Sequence, residues 1–286
     1  MSAGVCQTGR AVAGSVLQHV QQGCASVCWA FRILATDLIP ANVTCVIPNA
    51  CSWAYRYLWK GSITSCSFRN TAGKVGTLFI HGGPIARAGS RIPAVLLLHG
   101  EHSHPLTMLH LADLAEREGR AVFSIALPYE DTNPENYRSL LRMGIDKVSE
   151  TIAARGGILG DFKLVGHSRG AIEGASAAYG WNHPNITGVI SIAGRFKVID
   201  PSERPCRESF KPVINALWQR LRPSQPLRVP FYQIAAIQEW CIDPEASIVR
   251  TDHEHRYVDA GHLGVINHPD TLAQVKKWVA VPARIA

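Results

Sequence analysis

The chain has 286 residues, of which 47% are hydrophobic and 18% charged, a balance that is ordinary for a soluble globular protein and sufficient for one large domain. The formal net charge of +7 permits acidic partners, but no nucleic-acid-binding motif accompanies it, so nucleic acid is not an expected partner. No stretch approaches the roughly 20 apolar residues of a membrane span. The N-terminus lacks the basic start and apolar core of a signal peptide, which favours a cytoplasmic location.

The first 70 residues differ in composition from the rest of the chain. They hold six of the eight cysteines, and their apolar residues Val12, Val16, Leu17 and Val20 recur at helical spacing. This pattern predicts an N-terminal extension, residues 1–70, with one or two amphipathic helices packed on the main domain. A helix in peripheral contact with a membrane surface is the alternative. Because no C-x-x-C pair occurs, a zinc knuckle is not indicated, and disulfides, acylated cysteines and buried thiols all stay open.

From Val75 onward, short apolar runs alternate with amphipathic segments. The run 92–98 is continuously apolar, which is typical of a strand buried on both faces. The alternation predicts an α/β domain over residues 71–286, with a mostly parallel central sheet covered by helices on both faces. The predicted strands are 75–81, 92–98, 121–127, 161–165, 186–193, 230–237 and 256–258, and the predicted helices are 105–118, 134–155, 171–178, 209–221 and the segment from Pro269.

Residues 195–228 form a basic stretch within this domain. The stretch holds eight Lys and Arg against three Asp and Glu, so it carries +5 of the total charge. We predict a small cap-like excursion here. Near a binding site, such a cluster would raise the local concentration of anionic ligands, whereas a solvated surface that keeps the protein soluble is the alternative.

The pentapeptide Gly166-His167-Ser168-Arg169-Gly170 joins a predicted strand to a helix rich in small residues. A G-x-S-x-G sequence in this position is typical of a nucleophile elbow, a turn so sharp that it holds the serine hydroxyl at its tip. The two glycines leave no side chain to collide where strand and helix approach each other. Ser168 is therefore the candidate nucleophile.

A serine hydroxyl needs a base to take its proton and an acid to orient that base. The candidate base is His262, in a glycine-flanked loop just past the predicted strand 256–258. The acid should follow the preceding strand, 230–237. We prefer Asp243 because it lies well past that strand and precedes a proline that begins a new element. The other candidates, in order, are Glu239 and Asp259, the latter being very close to the histidine in sequence.

The order Ser168, Asp243, His262 along the chain is that of the α/β-hydrolase family. From Val75 to its end the chain resembles that family in each expected element. The resemblance implies a serine hydrolase, esterase-like or lipase-like, that cleaves a carboxylic ester through an acyl-enzyme intermediate and uses no cofactor. Its substrate would be a small-molecule or lipid ester. A thioesterase, amidase or acyltransferase of the same fold is an alternative, as is a hydrolase-fold binding protein without activity.

The segment Leu98-His99-Gly100-Glu101 resembles the family's His-Gly segment, which leads into the oxyanion-hole loop. The resemblance implies that the backbone N–H groups of Arg169 and Glu101 would hold the oxyanion of a tetrahedral intermediate. A carboxylate at this position would repel that oxyanion unless the Glu101 side chain turns outward or pairs with Arg169. If Glu101 does not serve, His102 would supply the donor.

Histidines cluster within 99–104 and 253–255, which raises the possibility of a surface metal site. Neither cluster matches the H-E-x-x-H pattern of zinc hydrolases. We therefore expect no metal in the reaction.

Overall fold

The computed structural model of the chain describes residues 63–82, 89–101, 103–129, 131, 133–181, 183–197, 211–239 and 242–280. The predicted N-terminal helices and seven of the eight cysteines lie outside these residues, as does the segment 198–210 of the basic stretch. The predictions made for those segments stay predictions. None of the described helices is long and apolar enough to cross a membrane.

A single sheet runs through the described residues. Its strands are β1 (Thr64–Arg69), β2 (Val75–Gly82), β3 (Arg91–Leu98), β4 (Ala121–Ala126), β5 (Ile158–His167), β6 (Ile186–Ile192), β7 (Phe231–Ala236) and β8 (His255–Val258). They lie side by side in the order β1-β2-β4-β3-β5-β6-β7-β8. β2 is antiparallel to both its neighbours, and all other neighbouring pairs are parallel.

Helices connect these strands and cover the sheet. They are α1 (Leu109–Arg117, preceded by a 3-10 turn at Pro105–Met108), α2 (Pro134–Ala154), α3 (Arg169–Ala175, continued by a π turn at Ser176–Gly180), α4 (Lys211–Leu221), α5 (Pro244–Ser247) and α6 (Pro269–Ala280). Local capping fixes several starts. At α2, for example, the Asn133 side chain accepts a hydrogen bond from the Glu135 N–H, and Pro134 takes the first turn, where no N–H donor is needed.

The core consists of two layers, one on each face of the sheet. Because side chains alternate along a strand, Leu96 and Leu98 face one layer while Val95 and Leu97 face the other. The first layer includes residues of α2, α3 and α4, and the second includes residues of α1 and α6. The predicted mostly parallel sheet with helices on both faces is confirmed.

Strand β1, Thr64–Arg69, was not predicted from the sequence. Its residues pair one by one with β2, from Thr64 opposite Ile80 to Arg69 opposite Val75. Only partly buried, the strand lacks the apolar run that identified the others. The sheet therefore begins before the predicted domain boundary at residue 70.

The described part of the cap-like excursion, α4, lies in the helical layer. Ile214, Leu217 and Leu221 are buried in the same core layer as α2 and α3. The Arg220 guanidinium donates to the Tyr179 carbonyl at the end of the π turn, 2.7 Å away. This helix of the basic stretch thus covers a face of the sheet.

Candidate active site

Ser168 lies at the turn between β5 and α3, at the carboxyl end of the central parallel strands. Its backbone dihedrals are φ 52° and ψ −116°, a region that side-chain-bearing residues rarely adopt. The Ser168 N–H donates to the Ile192 carbonyl of the neighbouring strand β6, 2.8 Å away, which helps to hold this backbone in place. Strained backbone of this kind is commonly found at functional positions.

The two glycines of the motif are required by the close approach of backbone segments. A Cβ on Gly166 would lie 2.5 Å from the Ala171 nitrogen. A Cβ on Gly170 would lie 2.6 Å from the His99 carbonyl oxygen and closer still to that of Leu98. The start of α3 therefore packs directly on the end of β3, which places Ser168 beside the segment 99–101.

His262 is held next to the turn by His167. The His167 Nε2–H donates to the backbone carbonyl of His262, 2.8 Å away, and the two imidazole rings lie 4.7 Å apart between centroids. Burial keeps the pKa of His167 well below its usual range, and the charge of a protonated His262 would lower it further. A neutral His167 can donate from Nε2 while carrying no charge that would compete with His262. No role for His167 was predicted from the sequence.

Glu239 lies against His262. The His262 Nδ1–H donates to Glu239 Oε2, 2.7 Å away, and the Glu239 side chain is only 1% exposed. Backbone hydrogen bonds between the ends of β7 and β8 bring the two residues together. The Ile237 N–H donates to the Val258 carbonyl at 2.8 Å, and the Gln238 N–H donates to the Ala260 carbonyl at 3.1 Å, so the two chain segments stay paired beyond the strands.

Asp243, the acid preferred from the sequence, is not beside His262. It is the N-cap of α5, where its Oδ1 accepts a hydrogen bond from the Glu245 N–H at 2.7 Å. Pro244 occupies the first turn of that helix. An Asp followed by Pro at a helix start is a capping signal. The Asp243 carboxylate therefore has a structural role at the start of α5. Asp259 is exposed and accepts a hydrogen bond from the Gln238 side chain at 2.9 Å. Glu239, the second choice, is therefore the carboxylate that the structure pairs with the histidine.

Glu101 and Arg169, the residues expected to supply backbone donors, face each other through their side chains. Arg169 Nη1 lies 3.8 Å from Glu101 Oε2. This is the pairing expected from the sequence if the Glu101 carboxylate is not to repel an oxyanion. Arg169 is the first residue of α3, a position whose N–H has no acceptor within the helix. His102, the alternative donor, lies outside the described residues.

Solved structures of similar fold are numerous, although no family model and no curated sequence matches this chain. A Pyrobaculum calidifontis esterase superposes with a TM-score of 0.56 at 14% identity, over 85% of this chain and 92% of that one. An esterase domain of a Rhodothermus marinus protein gives 0.53 at 16%, over 76% and 96%. The thioesterase domain from the curacin biosynthetic pathway gives 0.53 at 14%, over 77% and 99%.

This chain has the α/β-hydrolase fold. The predicted fold class is thereby confirmed, and at such identities the similarity extends to the fold alone. Within an α/β-hydrolase fold, ligands bind at the carboxyl ends of the parallel strands, which is where Ser168, Glu239 and His262 follow β5, β7 and β8.

The His-Gly segment of this α/β-hydrolase fold is fixed by His99. Its Nε2 accepts a hydrogen bond from the Leu127 N–H at 3.2 Å, so its Nδ1 carries the proton and donates to the Gly100 carbonyl at 2.7 Å. Burial lowers the pKa of His99 to about 4, which keeps the ring neutral. A Cβ on Gly100 would lie 3.0 Å from His167 Nδ1 and 3.3 Å from Ser168 Cβ. The glycine thus permits close contact with the serine turn.

The histidine clusters have structural partners where they are described. His104 Nδ1 caps the 3-10 turn by accepting from the Leu106 N–H at 3.3 Å. His255 Nδ1–H donates to the His253 carbonyl at 3.0 Å. Among the residues that the structure describes, no group of three His, Cys, Asp or Glu side chains could hold a metal ion.

Proposed function

We propose that the protein is a serine hydrolase that cleaves carboxylic esters, with Ser168 as the nucleophile, His262 as the general base and Glu239 as the orienting acid. The observation that carries the proposal is the 2.7 Å hydrogen bond from His262 to the buried Glu239 carboxylate. His262 is in turn bonded to His167, the residue before a serine whose backbone is strained at a strand-to-helix turn. Sequence order and placement at the carboxyl ends of the strands both agree with this assignment.

In the proposed reaction, Ser168 Oγ adds to the ester carbonyl carbon while His262 Nε2 takes the hydroxyl proton. Glu239 holds the imidazole through Nδ1 and stabilises the imidazolium that forms. The oxyanion accepts hydrogen bonds from the backbone N–H groups of Arg169 and Glu101. When the tetrahedral intermediate collapses, the imidazolium gives its proton to the leaving alcohol. Water then attacks the acyl-enzyme by the same route and releases the carboxylic acid.

The burial of the Glu239 carboxylate against His262 argues against a binding protein without activity. Placing the Glu239 carboxylate out of water costs free energy that only its hydrogen-bonding partners offset. A binding surface gains nothing from a carboxylate aimed at Nδ1 of a histidine at the serine turn. The arrangement is the one that base-assisted attack requires.

An active-serine probe tests the proposal. We expect a fluorophosphonate to label the wild-type protein on Ser168, and the Ser168→Ala variant to stay unlabelled. A panel of p-nitrophenyl esters of increasing acyl length should be hydrolysed by the wild type only. Labelling at another residue would contradict the assignment. So would hydrolysis by Ser168→Ala at a rate within about tenfold of wild type, because a tenfold loss is small beside the usual rate enhancement of an enzyme.

Thioesters are the second candidate substrates. The thioesterase domain from the curacin pathway shares the fold, and the proposed nucleophile, base and backbone donors could act on a thioester carbonyl without rearrangement. Matched oxygen and sulfur esters of one acyl chain separate the two. If the ratio of kcat/KM for the thioester to that for the oxygen ester exceeds the ratio of their uncatalysed hydrolysis rates, the protein is a thioesterase.

A further inference from the structure

The Arg169 side chain lies at the centre of a buried row of alternating charges. Its Nε donates to Glu173 Oε1 at 3.0 Å, and its Nη2 donates to the Tyr137 hydroxyl. The guanidinium also lies 4.8 Å from the centre of the Tyr137 ring. Glu173 is fully buried and accepts a second hydrogen bond from Arg138 Nε at 3.4 Å. The side chain of Arg169 is thus held by Glu173 and Tyr137 together.

At one end, this row reaches Glu101. The Glu101 carboxylate lies 3.8 Å from Arg169 Nη1 and is 25% exposed, whereas Arg169 is 4% exposed. The pair therefore spans two backbone segments, 99–101 after β3 and 168–170 at the start of α3. These segments are in close contact, since Gly170 has no room for a Cβ beside the Leu98 and His99 carbonyls.

We infer that the Glu101–Arg169 ion pair is a positioning device that sets the spacing of the two backbone N–H donors in the oxyanion hole. The inference rests on the proposed function, because it takes the donors to be the N–H groups of these same two residues. In each residue, the side chain and the backbone nitrogen are bonded to the same Cα atom. The distance between the two side chains therefore constrains the distance between the two N–H donors. Donors must be fixed before charge develops in order to stabilise a transition state.

The charge of Glu101 acts against this role. A carboxylate near a forming oxyanion raises the energy of the transition state. Arg169 compensates that charge, as Arg138 compensates Glu173. Positioning of the donors and repulsion of the oxyanion therefore predict opposite changes in turnover when only the Glu101 charge is removed. Turnover falls if positioning dominates and rises if repulsion dominates.

The kinetic test is Glu101→Gln, which keeps the shape of the side chain and removes the ion pair. We expect kcat per titrated active site to fall by about tenfold, less than the 10²–10³ typical for a lost donor, with KM changed less than about twofold. A trifluoromethyl ketone, which forms a tetrahedral oxyanion adduct on the serine, should lose affinity by the same factor. Turnover and ketone affinity equal to or above wild type would overturn the inference.

The matched control is Glu135→Gln. Glu135 pairs with Arg138 at 3.1 Å on the outer side of the same row and is largely exposed. Its substitution removes one carboxylate from the same set of charges without touching either loop. Kinetic constants within twofold of wild type are expected, roughly what an exposed pair contributes. A loss equal to that of Glu101→Gln would assign the effect to the net charge of the row and overturn the positioning role.

Amide hydrogen exchange separates this inference from the proposed function. In Glu101→Gln, exchange should be faster in the peptides that contain 99–101 and 168–170, and unchanged in Glu135→Gln. Unchanged exchange in Glu101→Gln would show that the ion pair does not hold the two segments together, and would overturn the inference whatever the protein hydrolyses. Faster exchange in a protein that hydrolyses no ester or thioester and binds no serine probe would refute the proposed function, and the oxyanion role with it.

Discussion

His167 Nε2 donates to the backbone carbonyl of His262 over 2.8 Å, so the residue before the proposed nucleophile holds the proposed general base. The bond is buried and connects the serine turn to the loop after β8. His262 is thereby fixed from both sides, through its side chain by Glu239 and through its backbone by His167.

We predict that His167→Leu lowers kcat by about 10²-fold, the scale of loss expected when a catalytic group is misplaced by about 1 Å. Because the amide nitrogen of glutamine can take the place of Nε2, His167→Gln should retain at least tenfold more activity than the leucine variant. Steady-state kinetics normalised to probe-reactive sites checks this ranking. Equal losses in both variants would show that the ring volume matters and the hydrogen bond does not.

Glu239→Gln should lower kcat by about 10³- to 10⁴-fold, because the imidazole loses both its charge partner and its correct tautomer. Asp243→Asn is the matched comparison. It removes a carboxylate four positions away that caps α5, so activity should stay within twofold of wild type, with at most about 1 kcal/mol of stability lost. Kinetics and thermal unfolding of both variants decide the assignment. The reverse ranking would return the acid to Asp243.

The parallel sheet could be predicted from the sequence because each inner strand is a continuous apolar run between turn residues, as in 92–98. Ser168 and His262 could be predicted as nucleophile and base because their glycine neighbours mark a turn and a loop. The structure places the second-ranked acid, Glu239, against His262, and loop length past β7 does not reveal that the Gln238 N–H continues the pairing with Ala260. The aspartate-proline capping signal at Asp243 was present in the sequence and was read as the start of a new element only.

The backbone strain at Ser168 predicts different stabilities for two inactive variants. Glycine adopts φ 52° without the steric penalty that alanine and serine share. Ser168→Gly should therefore unfold with a free energy about 1 kcal/mol higher than Ser168→Ala, despite the greater entropy of glycine in the unfolded chain. Urea unfolding of the two variants measures the difference. A less stable glycine variant would mean that the turn is not strained in solution.

The buried histidines predict a loss of stability in mild acid. The folded-state pKa of His99 is lowered to about 4, so between pH 6.5 and 4 the unfolded chain binds a proton that the folded chain does not. The stabilising contribution is complete above pH 6.5 and declines as the pH falls toward 4, by about 1.4 kcal/mol per pH unit for each such group. His167, whose pKa is also lowered by burial, acts in the same direction. In His99→Gln, urea unfolding from pH 6.5 to 4.5 should show a shallower decline. An unchanged slope would mean that His99 is protonated in the folded state.

The basic stretch 195–228 predicts a dependence on salt that differs between substrates. Within the stretch, Lys197 follows β6, and its Nζ lies 5.3 Å from the centre of the Trp218 ring of α4. Outside the stretch, the exposed Arg155 precedes β5, at the end of that strand opposite to Ser168. If positive charge near the site attracts an anionic ester, kcat/KM for that ester should fall as added salt shortens the screening length below about 8–10 Å. A neutral ester of the same acyl chain should be nearly unaffected.

Charge reversal within the stretch and outside it separates local steering from net charge. Lys197→Glu should lower kcat/KM for the anionic ester several-fold at low salt and flatten its salt dependence, because it removes positive charge from the basic stretch. Arg155→Glu changes the net charge equally but lies at the end of β5 opposite to Ser168, and screening over about 8–10 Å makes its effect small. The neutral ester reports any general loss of activity in either variant. Equal responses of the two variants, or of the two esters, would identify the basic stretch as ordinary solvated surface and leave no charge preference in the substrate.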